Sequence, residues 1–377
     1  MKTLLFTLEF PLPDQSPGQA FYGGVANYYG NLVKYWPKSD NIFVLNNNDN
    51  KLIKRWLWPK WLPTIWHLWR GVKKEKINYI LVGHILPLGT ATWILSKFIG
   101  FRYGVILHGM DFTYASRIAR KKWIIKKILK KADKIICVNS YLAGLVRDFL
   151  SREQAGKIII VNPGIEVRSK KLSPPWRDPT EAGEVKSKKD LLKEKYNLKN
   201  KIVLFSIGRL VKRKGFDKVI AAMPKVLKQV QNLVYAIAGD GPDKNYLEKL
   251  AKDKKDIIFL GKITDEEKWV WLNLCDIFIM PSRQIKEDFE GFGIVYLEAN
   301  LCSKPVIAGD SGGVRDAVKN GINGLLVNSE NIEEITEAVI KLAKDKNLRE
   351  KLGRQGKERV IKEFNWEKQT KKIISKL

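Results

Sequence analysis

The sequence predicts two doubly wound α/β domains in tandem, and three observations carry that expectation. Its 377 residues exceed one ordinary core and fit two domains of common size. Short apolar runs recur along the chain, separated by segments of helical period long enough for crossover helices. Between the two sets of runs, residues 168–199 collect Pro174, Pro175, Pro179 and Gly183 among many charges.

The first set of runs is Lys2–Leu8, Asn41–Leu45, Tyr79–Val82, Tyr103–Leu107, Lys134–Val138 and Lys157–Val161. The second is Ile202–Ile207, Leu233–Ala238, Ile257–Leu260, Ile277–Met280, Pro305–Ala308 and Gly324–Val327. Several are continuously apolar instead of alternating, which is how a parallel strand covered on both faces reads. From about Lys186 the break turns helical, so the expected layout is a first domain over 1–167 and a linker or insertion over 168–200. A second domain then occupies 201–355 and a C-terminal helix 356–377. Ligands of open α/β sheets bind beyond the carboxyl ends of the strands, and with two such domains the natural site is the cleft between them.

Composition narrows the class. A hydrophobic content of 45% excludes a disordered chain. Sixty-eight Lys and Arg against forty Asp and Glu give +28, which calls for an anionic partner: nucleic acid, a membrane surface or a phosphorylated ligand. Cys137, Cys275 and Cys302 sit among apolar neighbours, with neither disulfide nor metal-ligand spacing, and read as reduced and intracellular. The segment from Met1 reads as a buried first strand and not a signal peptide, and no stretch reaches about 18 uninterrupted apolar residues, the length of a membrane span.

After the run 202–207 comes Gly208-Arg209, and then Lys212-Arg213-Lys214-Gly215. Glycine directly after a strand permits a sharp turn, and Arg209 and Lys214 at the strand's carboxyl end suit a diphosphate, one as a planar fork and the other as a compact charge. A basic loop by itself is more often just a solvated face. After the run 277–280 comes Pro281-Ser282-Arg283, and then Glu290-Gly-Phe292-Gly293-Ile294 on to Glu298. Glycines ahead of an apolar run read as a tight loop entering a helix, whose first N–H groups hold a phosphate well. Were this segment wholly helical, its two glutamates would stand roughly 12 Å apart. That exceeds the roughly 5–10 Å of a hydrolase carboxylate pair and matches two ends of one extended ligand.

In the first half, Phe21-Tyr22-Gly23-Gly24-Val25 opens a helical pattern, and the run 103–107 ends in His108-Gly109-Met110-Asp111. His84, after the run 79–82, is a weaker signal. Residues 51–76 hold eight Lys or Arg, one Glu, and Trp56, Trp58, Trp61, Trp66 and Trp69. Residues 121–134 place seven lysines around Trp123, Ile124, Ile125, Ile128 and Leu129. Basic residues flanking such a face suit an anionic lipid surface, though for 121–134 packing on the sheet explains part of the pattern.

Arg209 with Lys214, and Glu290 with Glu298, resemble the donor site of glycosyltransferase family 4. The text from Phe292 to Ala299, then from Lys304 to Gly313, resembles its phosphatidylinositol mannosyltransferase branch. The resemblance implies two Rossmann-like domains facing across a cleft, the GT-B architecture, and a retaining transferase. By it, Arg209 and Lys214 hold the donor diphosphate, Glu290 binds sugar hydroxyls and Glu298 the ribose. Gly208 and backbone at Gly293 and Ile294, beside Phe292, serve the phosphates; the loop 261–263, with Lys262 and Ile263, lines the base. Gly23 and Gly24 lie under the phosphates, and His108 contacts the transferred sugar or the acceptor without acting as nucleophile. The tail from Glu363 resembles the family's C-terminal helix, which crosses back to the first domain.

The branch favours GDP-mannose over UDP-sugars, while charge and tryptophan content point to a lipid headgroup or lipid-linked glycan as acceptor at the inner, cytoplasmic face of a membrane. No Asp-x-Asp and no zinc-like cluster occur, so no metal or other cofactor is expected, and leaving-group charge falls to Arg209, Lys214 and helix N–H groups. An epimerase or a phosphorylase shares the architecture. A nucleic-acid-binding protein would explain the charge, but no recognised binding motif is present and nucleic acid is not the expected partner.

Overall fold

The structure, a computed structural model, describes residues 1–11, 24–54, 56–166, 188–252 and 254–377. They form two compact units, one built on the first set of strands and completed by Trp366–Leu377, the other spanning Ile165–Asn365.

In the first unit the strands are β1 (Lys2–Phe6), β2 (Asn41–Leu45), β3 (Tyr79–Val82), β4 (Arg102–Leu107), β5 (Lys134–Cys137) and β6 (Ile158–Ile160). They pair in parallel in the order β2-β1-β3-β4-β5-β6. All four residues of β3 are buried, as a central strand covered on both faces must be. The chain leaves β1 for β2 on one side and returns to β3 on the other, so the order reverses between β1 and β3. The helices Leu62–Glu75, Leu88–Leu95 and Ala119–Lys131 pack successively against one another. Gly89 eases the approach of Leu88–Leu95 to Ala119–Lys131, since a Cβ there would sit 3.3 Å from Ile128.

The second unit holds β7 (Ile202–Ile207), β8 (Leu233–Ala238), β9 (Ile257–Gly261), β10 (Ile277–Met280), β11 (Val306–Gly309) and β12 (Gly324–Val327). Their order is β12-β11-β10-β7-β8-β9, again all parallel, with the reversal between β7 and β10. Two apolar cores pack on this sheet, one including Phe205, Trp271, Phe278 and Tyr296, the other Phe216, Met223, Tyr235 and Leu342.

Two expected boundaries need correction. The turn to helix expected from about Lys186 is present over 188–195, but this stretch lies in the second unit and not in a linker running to 200, since Leu192, Tyr196 and the buried Leu198 pack into that unit's core. The C-terminal helix was expected from 356, but Lys346–Glu363 is one continuous helix of the second unit. It packs on Ile294–Leu301 through small residues: a Cβ on Gly356 would lie 2.6 Å from the Asn300 amide, and one on Gly353 2.0 Å from the Ser303 carbonyl. The chain re-enters the first unit only at Trp366. There Ile165 and Asn365 form an isolated parallel bridge, with the Ile165 N–H donating to Phe364 O at 2.6 Å. Trp366 is buried beside Tyr28, its ring centroid 5.3 Å away, and against Gly164, where any Cβ would meet the indole at 2.7 Å.

Candidate donor site and the histidine pair

At the β7/β10 reversal two loops meet. The first runs from Gly208, whose N–H bonds Ala238 O, through exposed Arg209 to a 3-10 turn over Lys212–Lys214. It ends at Gly215, with φ +77°. A side chain there would be strained by the dihedral and would also place its Cβ 2.2 Å from Pro281 O, so only glycine lets this loop lie against the one following β10. The second loop carries Pro281 to Gly293. Gly293, at φ +79°, starts the helix Ile294–Leu301, and a Cβ there would run into the Tyr296 ring at 2.3 Å. The first amides of that helix have no acceptor within it.

The loops join through Glu290. Its Oε2 accepts from Lys214 Nζ at 2.5 Å, Arg213 Nη1 at 2.7 Å and Ser282 Oγ at 3.2 Å. Arg213 Nε lies 2.9 Å from Asp288. Burial alone would raise the Glu290 carboxyl, but Lys214 and Arg213 outweigh it and hold it down at about 2. Two cations and two carboxylates therefore balance inside the cluster, and Lys214 is engaged with the glutamate it was expected to work beside. Arg209 stands outside these bonds.

Glu298 belongs to a second arrangement. Lys268 donates to it at 2.8 Å and to Asp265 at 2.6 Å. Burial would lower the Lys268 ammonium, but the two carboxylates outweigh that and push it above its ordinary value. Lys268 is delivered by the helix Asp265–Leu274, which begins with a reciprocal cap: Glu267 N–H donates to Thr264 Oγ1, and Thr264 N–H donates to the Glu267 carboxylate. The spacing estimate assumed one helix from Glu290 to Glu298, whereas the helix starts at Ile294 and Glu290 lies in the loop before it. The two carboxylates have different cationic partners.

Other expected residues divide. Lys262 is exposed, but Ile263 and Phe292 are buried members of the apolar core, Phe292 with its ring centroid 5.6 Å from Phe364. Any donor contact at those two positions falls to backbone. Gly24 opens the helix Gly24–Lys34 with nothing near its missing Cβ, and Gly23 lies outside the described residues.

In the first unit, His108 follows β4 and His84 follows β3, beside the β1/β3 reversal. Tyr29 donates its hydroxyl to Gly83 O and lies 2.7 Å from His108 Nε2. Tyr28 and Tyr29 meet the His108 ring edge to face, at centroid distances of 5.1 and 5.2 Å. Asp111 Oδ1 accepts the His108 and Gly109 N–H groups. Burial pushes the Asp111 carboxyl up to about 6 against those bonds. Burial, with His84 as a lesser cause, lowers His108 to about 3, and burial lowers His84 to about 4.

The basic and aromatic stretches prove largely exposed. Trp56 is 79% and Trp58 83% accessible, and Trp66, Trp69, Phe98 and Trp123 are exposed as well. Arg70 lies over Trp66, Lys97 over Trp93 and Lys127 over Trp123. In 121–134 the apolar stripe splits: Ile125, Ile128 and Leu129 are buried while Trp123 faces solvent. Among the described residues no helix is long and apolar enough to cross a membrane.

Arg213 and Lys268 are the partners that sequence reasoning missed. Arg213 sat unmarked between two lysines, and nothing in the text joined Lys268 to a glutamate thirty residues on.

Paired parallel sheets of this topology, with charged loops at the second reversal, define a GT-B protein. The family model for glycosyl transferases group 1 matches residues 188–359, and that for Glycosyltransferase Family 4 matches residues 22–169. Between them the two models place glycosyltransferase domains in both units. It is 34% identical over 181 residues to a GDP-mannose-dependent alpha-(1-6)-phosphatidylinositol monomannoside mannosyltransferase of Mycobacterium tuberculosis, a match covering 47% of each chain. The chain thus spans about half the length of such curated relatives. An uncharacterized glycosyltransferase of Methanocaldococcus jannaschii is 27% identical over 299 residues, 79% of this chain and 74% of that one. The Anabaena HepE structure, in complex with UDP, superposes with a TM-score of 0.76 at 16% identity, covering 100% of this chain and 99% of that one; at that identity it speaks for the fold.

Proposed function

We propose that this protein transfers a hexose, mannose from GDP-mannose in the first instance, to a hydroxyl of a lipid headgroup or lipid-linked glycan at an anionic membrane surface. Anomeric configuration is retained and no metal is needed. The observation that carries this reading is the meeting of two charged loops on Glu290 at the β7/β10 reversal, the position where doubly wound sheets bind nucleotides.

The leaving diphosphate meets Arg209 and the first amides of the helix at Ile294, which stabilise its charge electrostatically. Lys214, already ordered by Glu290, shares its ammonium with the incoming phosphate, while Glu290 turns an oxygen to sugar hydroxyls. The acceptor hydroxyl attacks from the face the nucleotide leaves, through an oxocarbenium-like state: its oxygen bonds the anomeric carbon as the bond to the diphosphate breaks, and its proton passes to the departing phosphate oxygen. Trapping a glycosyl-enzyme adduct for mass spectrometry would overturn that step.

What supports the membrane half is exposure. Tryptophans that a water-facing surface has no use for stand on and beside three adjacent helices, interleaved with lysines worth about 1 kcal/mol each at an anionic surface. The test is a donor panel read by nucleotide release, with and without vesicles of membrane lipid extract. GDP-mannose with vesicles should give the fastest release, and Lys214→Ala and Glu290→Ala should both abolish it; full activity in both variants would end the site assignment. Trp56→Ser/Trp58→Ser should lose vesicle binding, measured by co-sedimentation, without losing stability. Unchanged sedimentation would refute the docking surface.

A further inference from the structure

Hydrogen-bond geometry fixes the tautomer of both histidines in the first unit. A hydroxyl has a single proton, and that of Tyr29 goes to Gly83 O, which can only accept. The 2.7 Å contact between Tyr29 and His108 Nε2 must then be made by an N–H on the imidazole, which leaves Nδ1 of neutral His108 as a bare acceptor. Gly83 is what admits this contact, since a Cβ there would meet the Tyr29 ring and hydroxyl at 2.7 Å. His84 is fixed from its other nitrogen. The backbone N–H of Leu8 donates to its Nδ1 at 3.3 Å, and a backbone amide has no other role to play. Neutral His84 therefore carries its proton on Nε2 and can only donate there. Thr7, also near that Nδ1, sends its own proton to Glu9 O.

We propose that His84 and His108 form a neutral pair of opposite hydrogen-bond polarity that reads sugar hydroxyls, His108 accepting through Nδ1 and His84 donating through Nε2–H. Tyr29 is the positioning residue that sets the polarity of His108. This rests on the reading that His108 meets the transferred sugar, and it adds His84 as a second sugar contact and the direction of each bond. A hydroxyl both donates and accepts, so one donor and one acceptor on adjacent strands suit a polyol and discriminate against ligands that offer only one of the two. Both groups stand at the carboxyl ends of adjacent strands by the β1/β3 reversal, and both remain partly accessible. Burial keeps them uncharged, so neither competes for the donor's phosphates.

The chain has three histidines, which makes the test direct. In protein labelled with [15N]histidine, and assigned by single His→Gln variants, His84 and His108 should each show one neutral Nε2–H tautomer from neutral pH down to about pH 5. Tyr29→Phe should release His108 into exchange between tautomers while leaving His84 unchanged. An Nδ1–H form or a cation at either position in the parent overturns the inference. Saturating GDP-mannose or UDP-glucose should shift His84 and His108 and leave His67 in place; a shift confined to His108 overturns the role given to His84. In nucleotide release, His84→Ala should lower kcat/KM by about tenfold, and His84→Gln, which restores an N–H at similar reach, should recover most of it. Equal loss in both variants also overturns that role. If neither nucleotide sugar is turned over or moves any histidine, the donor reading fails, and the tautomers stand or fall on the first measurement.

Discussion

Replacing Glu290 by glutamine tests the centre of the donor site through stability, before any substrate is known. The carboxyl moves from an ordinary 4.5 to about 2 in the folded protein. That difference corresponds to about 3 kcal/mol at neutral pH. Glu290 is 8% exposed, so solvent screening removes little of it. Because the folded value is depressed, this stabilisation is fully present above 4.5 and is lost as pH falls towards 2. Glu290→Gln should therefore be less stable than the parent by about 3 kcal/mol at about pH 7, and the gap should close as the pH falls through about 4 to about 2. Other carboxylates titrate in both proteins and cancel in the difference. The assay is urea unfolding followed by tryptophan emission, with buried Trp271 reporting on the second unit. A gap that stays constant from neutral to acid pH, or a variant as stable as the parent, would refute the electrostatic account. Lys214→Met in the Glu290→Gln background should cost less than in the parent, because its partner is already gone; additive losses would show that the two do not act as a pair.

Two further perturbations bear on the same unit. Lys268→Met removes the cation from Glu298 and Asp265 and should cost about 2 kcal/mol in urea unfolding, the side chains being partly accessible; a neutral result would mean Glu298 needs no partner. Gly215→Ala must place a Cβ against Pro281 O at positive φ and should cost at least about 2 kcal/mol, while its effect on nucleotide release should exceed its effect on thermal stability because both site loops shift together. Parental release rates in that variant would show that the contact does not position the site.

The strands were legible because parallel, doubly covered strands must be continuously apolar, as in the buried Leu233–Ala238. The loops were legible from glycines and charges placed just after those strands. What stayed hidden was direction. Within Lys212–Lys214 successive side chains of a 3-10 turn point about 120° apart, so three neighbouring cations face three ways, and sequence alone could not select Arg213. Lys268 finds Glu298 only through helix packing. The helix Lys346–Glu363 belongs whole to the second unit, and its buried face is narrow, only Leu352 and Val360 being apolar beside Gly353 and Gly356, so little in the text ties residues 356–363 to that unit. Ile263 and Phe292 entered the donor set through the family resemblance, which speaks for the loops they lie in, while their own side chains serve the core.

The return of the chain at Trp366 bears on the order in which this protein can be made. Trp366 and Ile373 belong to the core of the first unit, and Leu377 O accepts a bond from Arg102. A ribosome completes β1 to β6 long before it reaches those residues, and the whole second unit, Ile165–Asn365, emerges in between. The first unit must therefore wait with the space beside Tyr28 and Gly164 unfilled while its younger neighbour folds, so that the half synthesised first is the half finished last.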